Sequence, residues 1–179
     1  MTSSDATALS PGALEAAASR VGAAYDGEGY APGAQVAVVC AKFNGGITER
    51  LLQGALAGFD AHGVPAKAVA LAWVPGAFEL PLAARRLAES GEVDAVVALG
   101  AVIRGDTAHF DFVAGECASG LQRAALDTGV PVVFGVLTTE TVEQAMERSA
   151  EGVDNKGYEA ARSALEMVDL LGKLPRPAR

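Results

Sequence analysis

Four times between Gln35 and Leu171 the chain runs an apolar, β-branched stretch into a short loop and then into a stretch of helical period. That repetition constrains the fold more than any single motif. Successive strand–helix units close as a parallel sheet with right-handed crossovers and helices on both faces. Strands are predicted over residues 35–41, 66–74, 93–99 and 132–137. The third, Val93-Asp94-Ala95-Val96-Val97-Ala98-Leu99, is apolar on both parities and therefore reads as covered on both faces. After the first strand, Ile47, Leu51, Leu52, Ala55, Leu56 and Phe59 recur at helical spacing as far as His62-Gly63. The helix after the second strand carries Pro81 in its first turn, where the missing N–H costs nothing. Further helices are predicted over 111–126, 141–148 and 156–171, the last two separated by Ala150-Glu151-Gly152-Val153-Asp154. The fold class is α/β: a single flavodoxin-like domain over residues 34–172, with a four-stranded parallel sheet in the order 2-1-3-4 and helices on both faces.

The ends differ in kind. Residues 1–33, rich in Ala, Ser and Gly, read as a largely flexible arm, with one short helix started by Ser10-Pro11. The end of that arm, Tyr25-Asp26-Gly27-Glu28-Gly29-Tyr30, is suited to pair with the sheet edge of another subunit. Residues 173–179 read as a flexible tail. No stretch approaches the ~20 apolar residues of a membrane span, and the start has neither a basic nor an apolar signal region. A cytoplasmic protein is expected. The net charge of −8, without any basic cluster, argues against nucleic acid and anionic membrane as partners and leaves small molecules and other proteins. Two separated cysteines and two isolated histidines make no metal-ligand cluster, so no metal is expected.

In a sheet of this order the ligand crevice lies outside the carboxyl ends of the strands. Beyond the third strand the chain reads Gly100-Ala101-Val102-Ile103-Arg104-Gly105-Asp106-Thr107-Ala108-His109-Phe110, a glycine-hinged loop running into a helix. The free N–H groups of a helix start favour an anion, and a histidine in that first turn is the side chain suited to proton exchange. The same residues fit a plainer reading, with Asp106 or Thr107 as a helix cap and His109 on the surface. Phe43, in the loop after the first strand, suits stacking on a planar heterocycle or folding back onto the core. Ala77-Phe78-Glu79 offers close backbone approach and a carboxylate at a helix start, fit for sugar hydroxyls or for capping. Arg148 and Lys156 each suit a phosphate contact or an ordinary pairing with nearby glutamates.

Together these segments resemble lumazine synthase. The resemblance runs from about Gln35 to Leu171 and rests on Phe43-Asn44, Trp73-Val74-Pro75-Gly76-Ala77-Phe78-Glu79-Leu80-Pro81, the run from Leu99 to Phe110, Gly135-Val136-Leu137-Thr138-Thr139, Glu147-Arg148 and Asn155-Lys156-Gly157. It implies condensation of 5-amino-6-(D-ribitylamino)uracil with 3,4-dihydroxy-2-butanone 4-phosphate to 6,7-dimethyl-8-ribityllumazine, phosphate and water, in riboflavin biosynthesis. No metal or organic cofactor is implied. By the same resemblance Phe43 stacks on the pyrimidine, Ala77, Phe78 and Glu79 hold the ribityl chain, and Ala101, Val102 and Ile103 line the ring. Asp106, Thr107, Arg148 and Lys156 contact the phosphate, His109 transfers protons, and Phe134 reaches the site of a neighbouring subunit. The implied partners are the two substrates, further copies of the chain, and riboflavin synthase.

The chain departs from the family pattern in two places. Its arm is longer than the pattern requires, and between Arg148 and Asn155 it lacks the Gly-Thr-Lys-Ala-Gly-like kink of members that form sixty-subunit shells. A pentamer is then the minimal assembly, with an icosahedral shell open. The rival from another class is a flavin- or lumazine-binding or shell-forming protein that does not turn over. A receiver-type signalling domain needs an aspartate after the third strand, where this chain has Leu99-Gly100.

Overall fold

The strand that organises the sheet is β3 (Ala95–Ile103), buried at every position except Ile103. In the computed structural model, which describes residues 9–175, it lies between β1 (Val36–Ala41) and β4 (Val132–Thr139), and β2 (Val69–Val74) pairs with the other side of β1. All pairings are parallel, as the repeat predicts, and the order is β2-β1-β3-β4, the flavodoxin-like order expected.

The two inner strands alternate between two cores, as the two-residue side-chain period requires. Val36, Val38 and Cys40 face one side with Val97 and Leu99, under α2 (Gly45–Ala61) and α6 (Lys156–Lys173). Ala37, Val39 and Ala41 face the other with Val96 and Ala98, under α3 (Leu80–Ala88) and α4 (His109–Thr128). Phe59 on α2 is 1% exposed, so Phe59→Ala would cost about 3–5 kcal/mol through lost transfer energy and the cavity left behind. The helices α2 and α6 meet closely because Gly157 has no side chain: a Cβ there would run into the Leu51 carbonyl.

Register explains the crevice. Pairing of β1 with β3 stops at Cys40 opposite Leu99, whereas β3 and β4 continue together to Ile103 opposite Thr139. Residues 100–103 of β3 therefore overhang the end of β1 and form a wall above it. The sequence reads this overhang as loop, because Gly100 interrupts the β-branched run; the β4 ladder is what holds it extended.

Other boundaries also shift. Residues 66–68 form a 3-10 turn, with the Ala68 amide on the Pro65 carbonyl at 2.8 Å, so β2 begins at Val69 and not at 66. Helix α4 begins at His109, two residues before the predicted 111. The short helix α5 (Val142–Arg148) starts behind Thr141, whose hydroxyl accepts from the Gln144 amide.

Within the arm, α1 (Pro11–Ala18) is capped by Ser10 and buries none of its residues. Further on, the arm is tied to α6. The Glu28 amide donates to Asp169 Oδ2 at 2.7 Å, Lys173 Nζ donates to the Asp26 carbonyl at 2.8 Å, and Gly27 lies so close to the Glu166 carbonyl that no side chain fits. The readings of residues 1–8 and of 176–179 as flexible lie outside the described residues. Among the described residues no helix is long and apolar enough to cross a membrane.

Candidate active site

The carboxyl ends of β1, β2 and β3 and the start of α4 enclose a cavity of about 710 Å³. The β1 loop is fixed by backbone bonds that continue the ladder past the strands. The Lys42 and Phe43 amides donate to the Val74 and Pro75 carbonyls at 2.9 and 3.1 Å. Asn44 then takes the left-handed conformation (φ 57°), which an asparagine tolerates, and its side-chain amide donates to the Ala101 carbonyl at 2.8 Å. The effect is to hold Phe43 at the cavity mouth with 70% of its surface exposed. Packing onto the core is thereby ruled out for this ring.

On the β2 side, a 3-10 turn of Ala77–Glu79 leads into α3. The Glu79 carboxylate accepts from the Gly76 amide at 2.9 Å, which orients it at the cavity edge, while Ala77 is buried and Phe78 exposed. The overhang of β3 supplies the third wall. Every predicted residue from Phe43 through Ile103 lines this cavity, as do Thr107 and His109; Asp106, exposed, does not.

His109 is the first residue of α4, and its amide approaches Thr107 Oγ1 at 3.4 Å. Neither Asp106 nor Thr107 is the helix cap; that position is Ala108, which has no capping side chain. Starting the helix at His109 puts Phe112 and Val113, three and four residues on, on the same face and into the cavity wall. Sequence reasoning missed these two because it began the helix at 111. It also passed over Asn44 and Arg104. The Arg104 guanidinium stacks over Phe110 at 4.1 Å and pairs with Asp111 at 3.1 Å and Glu140 at 2.8 Å. Those two carboxylates, Asp111 first, raise its pKa further above the ordinary arginine value.

Phe134, Arg148 and Lys156 stand elsewhere. They line a second cavity of about 320 Å³ along the outer edge of β4, and the two cavities share no residue. One chain thus does not bring Arg148 or Lys156 to Thr107 and His109, as a single phosphate contact set would need. Within the second cavity Arg148 Nη1 donates to the Gln144 carbonyl at 3.0 Å, and Lys156 Nζ pairs with Glu159 at 2.7 Å. Asn155, 2% exposed, fixes the spacing of the two cations. Its amide donates to the Arg50, Ser149 and Ala150 carbonyls, and its carbonyl oxygen accepts from the Gly157 amide at 2.8 Å.

The two cysteines are buried in opposite cores, and burial pushes both thiols up to about 11, so neither is a nucleophile near neutral pH. Among the described residues no group of three or more His, Cys, Asp or Glu side chains is placed to hold a metal ion.

This arrangement stands in a chain with clear relatives. The family pattern of 6,7-dimethyl-8-ribityllumazine synthase matches residues 33–172. A protein of Edwardsiella ictaluri (strain 93-146) named 6,7-dimethyl-8-ribityllumazine synthase is 57% identical over 142 residues, which cover 79% of this chain and 91% of that protein. The matched span takes in the whole sheet, α2 to α6 and both cavities, and the chain belongs to the 6,7-dimethyl-8-ribityllumazine synthase family.

Proposed function

We propose that the protein condenses 5-amino-6-(D-ribitylamino)uracil with 3,4-dihydroxy-2-butanone 4-phosphate, giving 6,7-dimethyl-8-ribityllumazine, phosphate and water. The observation that carries this reading is the large cavity, whose separate walls present an exposed phenyl ring, a turn ending in a carboxylate and a histidine to the same space. Phe43 stacks on the flat pyrimidine. The Ala77–Glu79 turn receives the ribityl hydroxyls, with the Glu79 carboxylate as acceptor. Ala101, Val102 and Ile103 cover the ring edge, and Thr107 with the amides near it meets the phosphate.

The chemistry asks little of the protein beyond placement. The 5-amino group adds to the ketone carbon C2, and a first water leaves as the imine forms. Loss of the C3 proton expels phosphate from C4, and the enol left behind becomes a C3 ketone bearing a methyl group. The ribitylamino nitrogen adds to C3 and loses a second water to close the ring. Each step moves a proton, from nitrogen to oxygen in the two dehydrations and from carbon C3 in the loss of phosphate, and His109 carries it. Holding the two reactants together supplies most of the remaining acceleration.

The second cavity belongs to the same reaction in a neighbouring copy. Arg148 and Lys156 from one chain close on the phosphate held at Thr107 of the next, and Phe134 closes on the pyrimidine. A homo-oligomer, with a pentamer as its smallest closed form, is the working enzyme.

The test is the rise of lumazine absorbance when purified protein is mixed with the two substrates. Turnover supports the proposal. Binding of the aminouracil without product would favour the non-catalytic rival.

A further inference from the structure

The segment from Arg104 to His109 carries the proposed chemistry, yet little holds it. A side chain at Gly105 would meet nothing within 4 Å, and residues 104–109 are all exposed. Of the hydrogen bonds inside it, the one from the His109 amide to Thr107 Oγ1 is long, at 3.4 Å. A loop of this kind samples many positions unless something closes it.

The Arg104 side chain is placed to close it. Its backbone amide donates to the Thr139 carbonyl at 2.9 Å, which anchors the near end of the loop on β4. Its guanidinium folds back over the far end, stacking on Phe110 at 4.1 Å and reaching Asp111 Oδ1 at 3.1 Å through Nη2. Nε is taken by Glu140 Oε2 at 2.8 Å, from the β4–α5 connection. One side chain therefore ties the end of β3, the first turn of α4 and the segment after β4 into a single unit, with His109 between the two ends of the clamp.

We propose that Arg104 is a positioning residue, which closes the 104–109 loop and fixes where the His109 imidazole meets the substrate. The inference rests on the reading of His109 as proton carrier. Arg104 does not itself contact substrate: two of its donors are spent on carboxylates and one face of its plane on Phe110. Lysine cannot replace it, because a point charge neither forks to two carboxylates nor stacks flat on a ring.

The test uses the full-length oligomer with Arg104→Met and Arg104→Lys, each alone and combined with His109→Ala. Misplacing a catalytic group by a fraction of an ångström lowers kcat, so Arg104→Met should lose about tenfold in kcat with both KM values within about twofold. Arg104→Lys should stay several-fold impaired. In the His109→Ala background Arg104→Met should cost nothing more, since a residue that acts through the imidazole has nothing left to place. Hydrogen exchange at the amides of residues 111–113 should quicken in Arg104→Met without substrate present.

A selective rise in KM for the phosphate substrate would make Arg104 a ligand and overturn the proposal. Full activity in Arg104→Lys, or additive losses with His109→Ala, would do the same. If His109→Ala alone leaves kcat intact, the proton-carrier reading fails instead, and exchange decides the clamp by itself: faster exchange supports it and unchanged exchange ends it.

Discussion

His109 stands at the first position of α4 with its side chain on the cavity wall, an address that suits a proton carrier and offers nothing for a nucleophile or a metal ligand. General acid–base catalysis contributes ~10²–10⁴-fold, and reactants already held together need the lower part of that range. His109→Ala should slow turnover by roughly one to two orders of magnitude, leave aminouracil binding nearly unchanged and flatten the pH–rate profile. Steady-state kinetics over a pH series checks this, and an unchanged kcat with an unchanged profile returns His109 to a surface role. Arg148 acts on a different quantity. A charge-assisted phosphate contact is worth about 1.5–3 kcal/mol, so Arg148→Ala should raise KM for the phosphate substrate by roughly 10- to 150-fold and barely move that for the aminouracil. Equal effects on both substrates would remove Arg148 from the phosphate. Asp106 is exposed and does not line the cavity, and a carboxylate repels a phosphate, which counts against its side chain as a phosphate contact.

At the scale of elements, the strands, the helices and the two cores were legible because β1 and β3 are apolar on both parities and α2 and α6 keep a 3.6-residue period, whereas the strand order came from the flavodoxin-like fold class and not from periodicity. The cavity wall was legible in its residues but not in its shape. Gly100 breaks the apolar run, so residues 100–103 read as loop, and only pairing with β4 as far as Thr139 makes them strand. The early start of α4 was hidden for a similar reason: Ala108 is no capping residue, and the clamp from Arg104 does the work a cap would have signalled. The arm gives a prediction at this scale. Among the described residues its hydrogen bonds to the body begin at Asp26, so removing residues 1–24 should leave fold, assembly and turnover intact, measured by sedimentation and assay. The arm's attachment to α6 is electrostatic. Contact with Lys173, and then with the Glu28 amide, holds the Asp169 carboxyl below its ordinary 3.8, and Asp169 in turn raises Lys173 above 10.5. A depressed carboxyl contributes fully above 3.8 and loses its contribution as pH falls through the lower folded value. A raised ammonium contributes fully below 10.5 and loses it as pH rises through the higher folded value. This attachment is thus constant around neutrality and weakens in strong acid and in strong base. Asp169→Asn should speed hydrogen exchange at the Glu28 amide at neutral pH, and unchanged exchange would mean that this contact does not hold the arm.

At the scale of the whole molecule, the separation of the two cavities decides what the working unit is. One chain carries a histidine wall on one side of β3 and an Arg148–Lys156 pair beyond β4, with no residue in common. If both serve one reaction, the phosphate must lie between two copies, and in a closed ring each copy then lends its cations to one neighbour and its histidine wall to the other. The protein should sediment as a pentamer or a multiple of it, and subunit mixing tests the consequence directly. His109→Ala and Arg148→Ala subunits are each poorly active at low phosphate substrate, the first for want of a proton carrier and the second for want of its anion clamp. Dissociated, mixed in equal amounts and reassembled, they should form some sites with His109 from one variant facing Arg148 from the other. Random placement around a ring makes about one site in four fully intact, since each of the two contributing chains is of the right kind half the time. Activity of the mixture should therefore rise to about a quarter of the wild-type value, well above the mean of the two variants measured apart. If a single chain supplied both groups, every site in the mixture would carry one defect or the other, and reassembly would give only that mean.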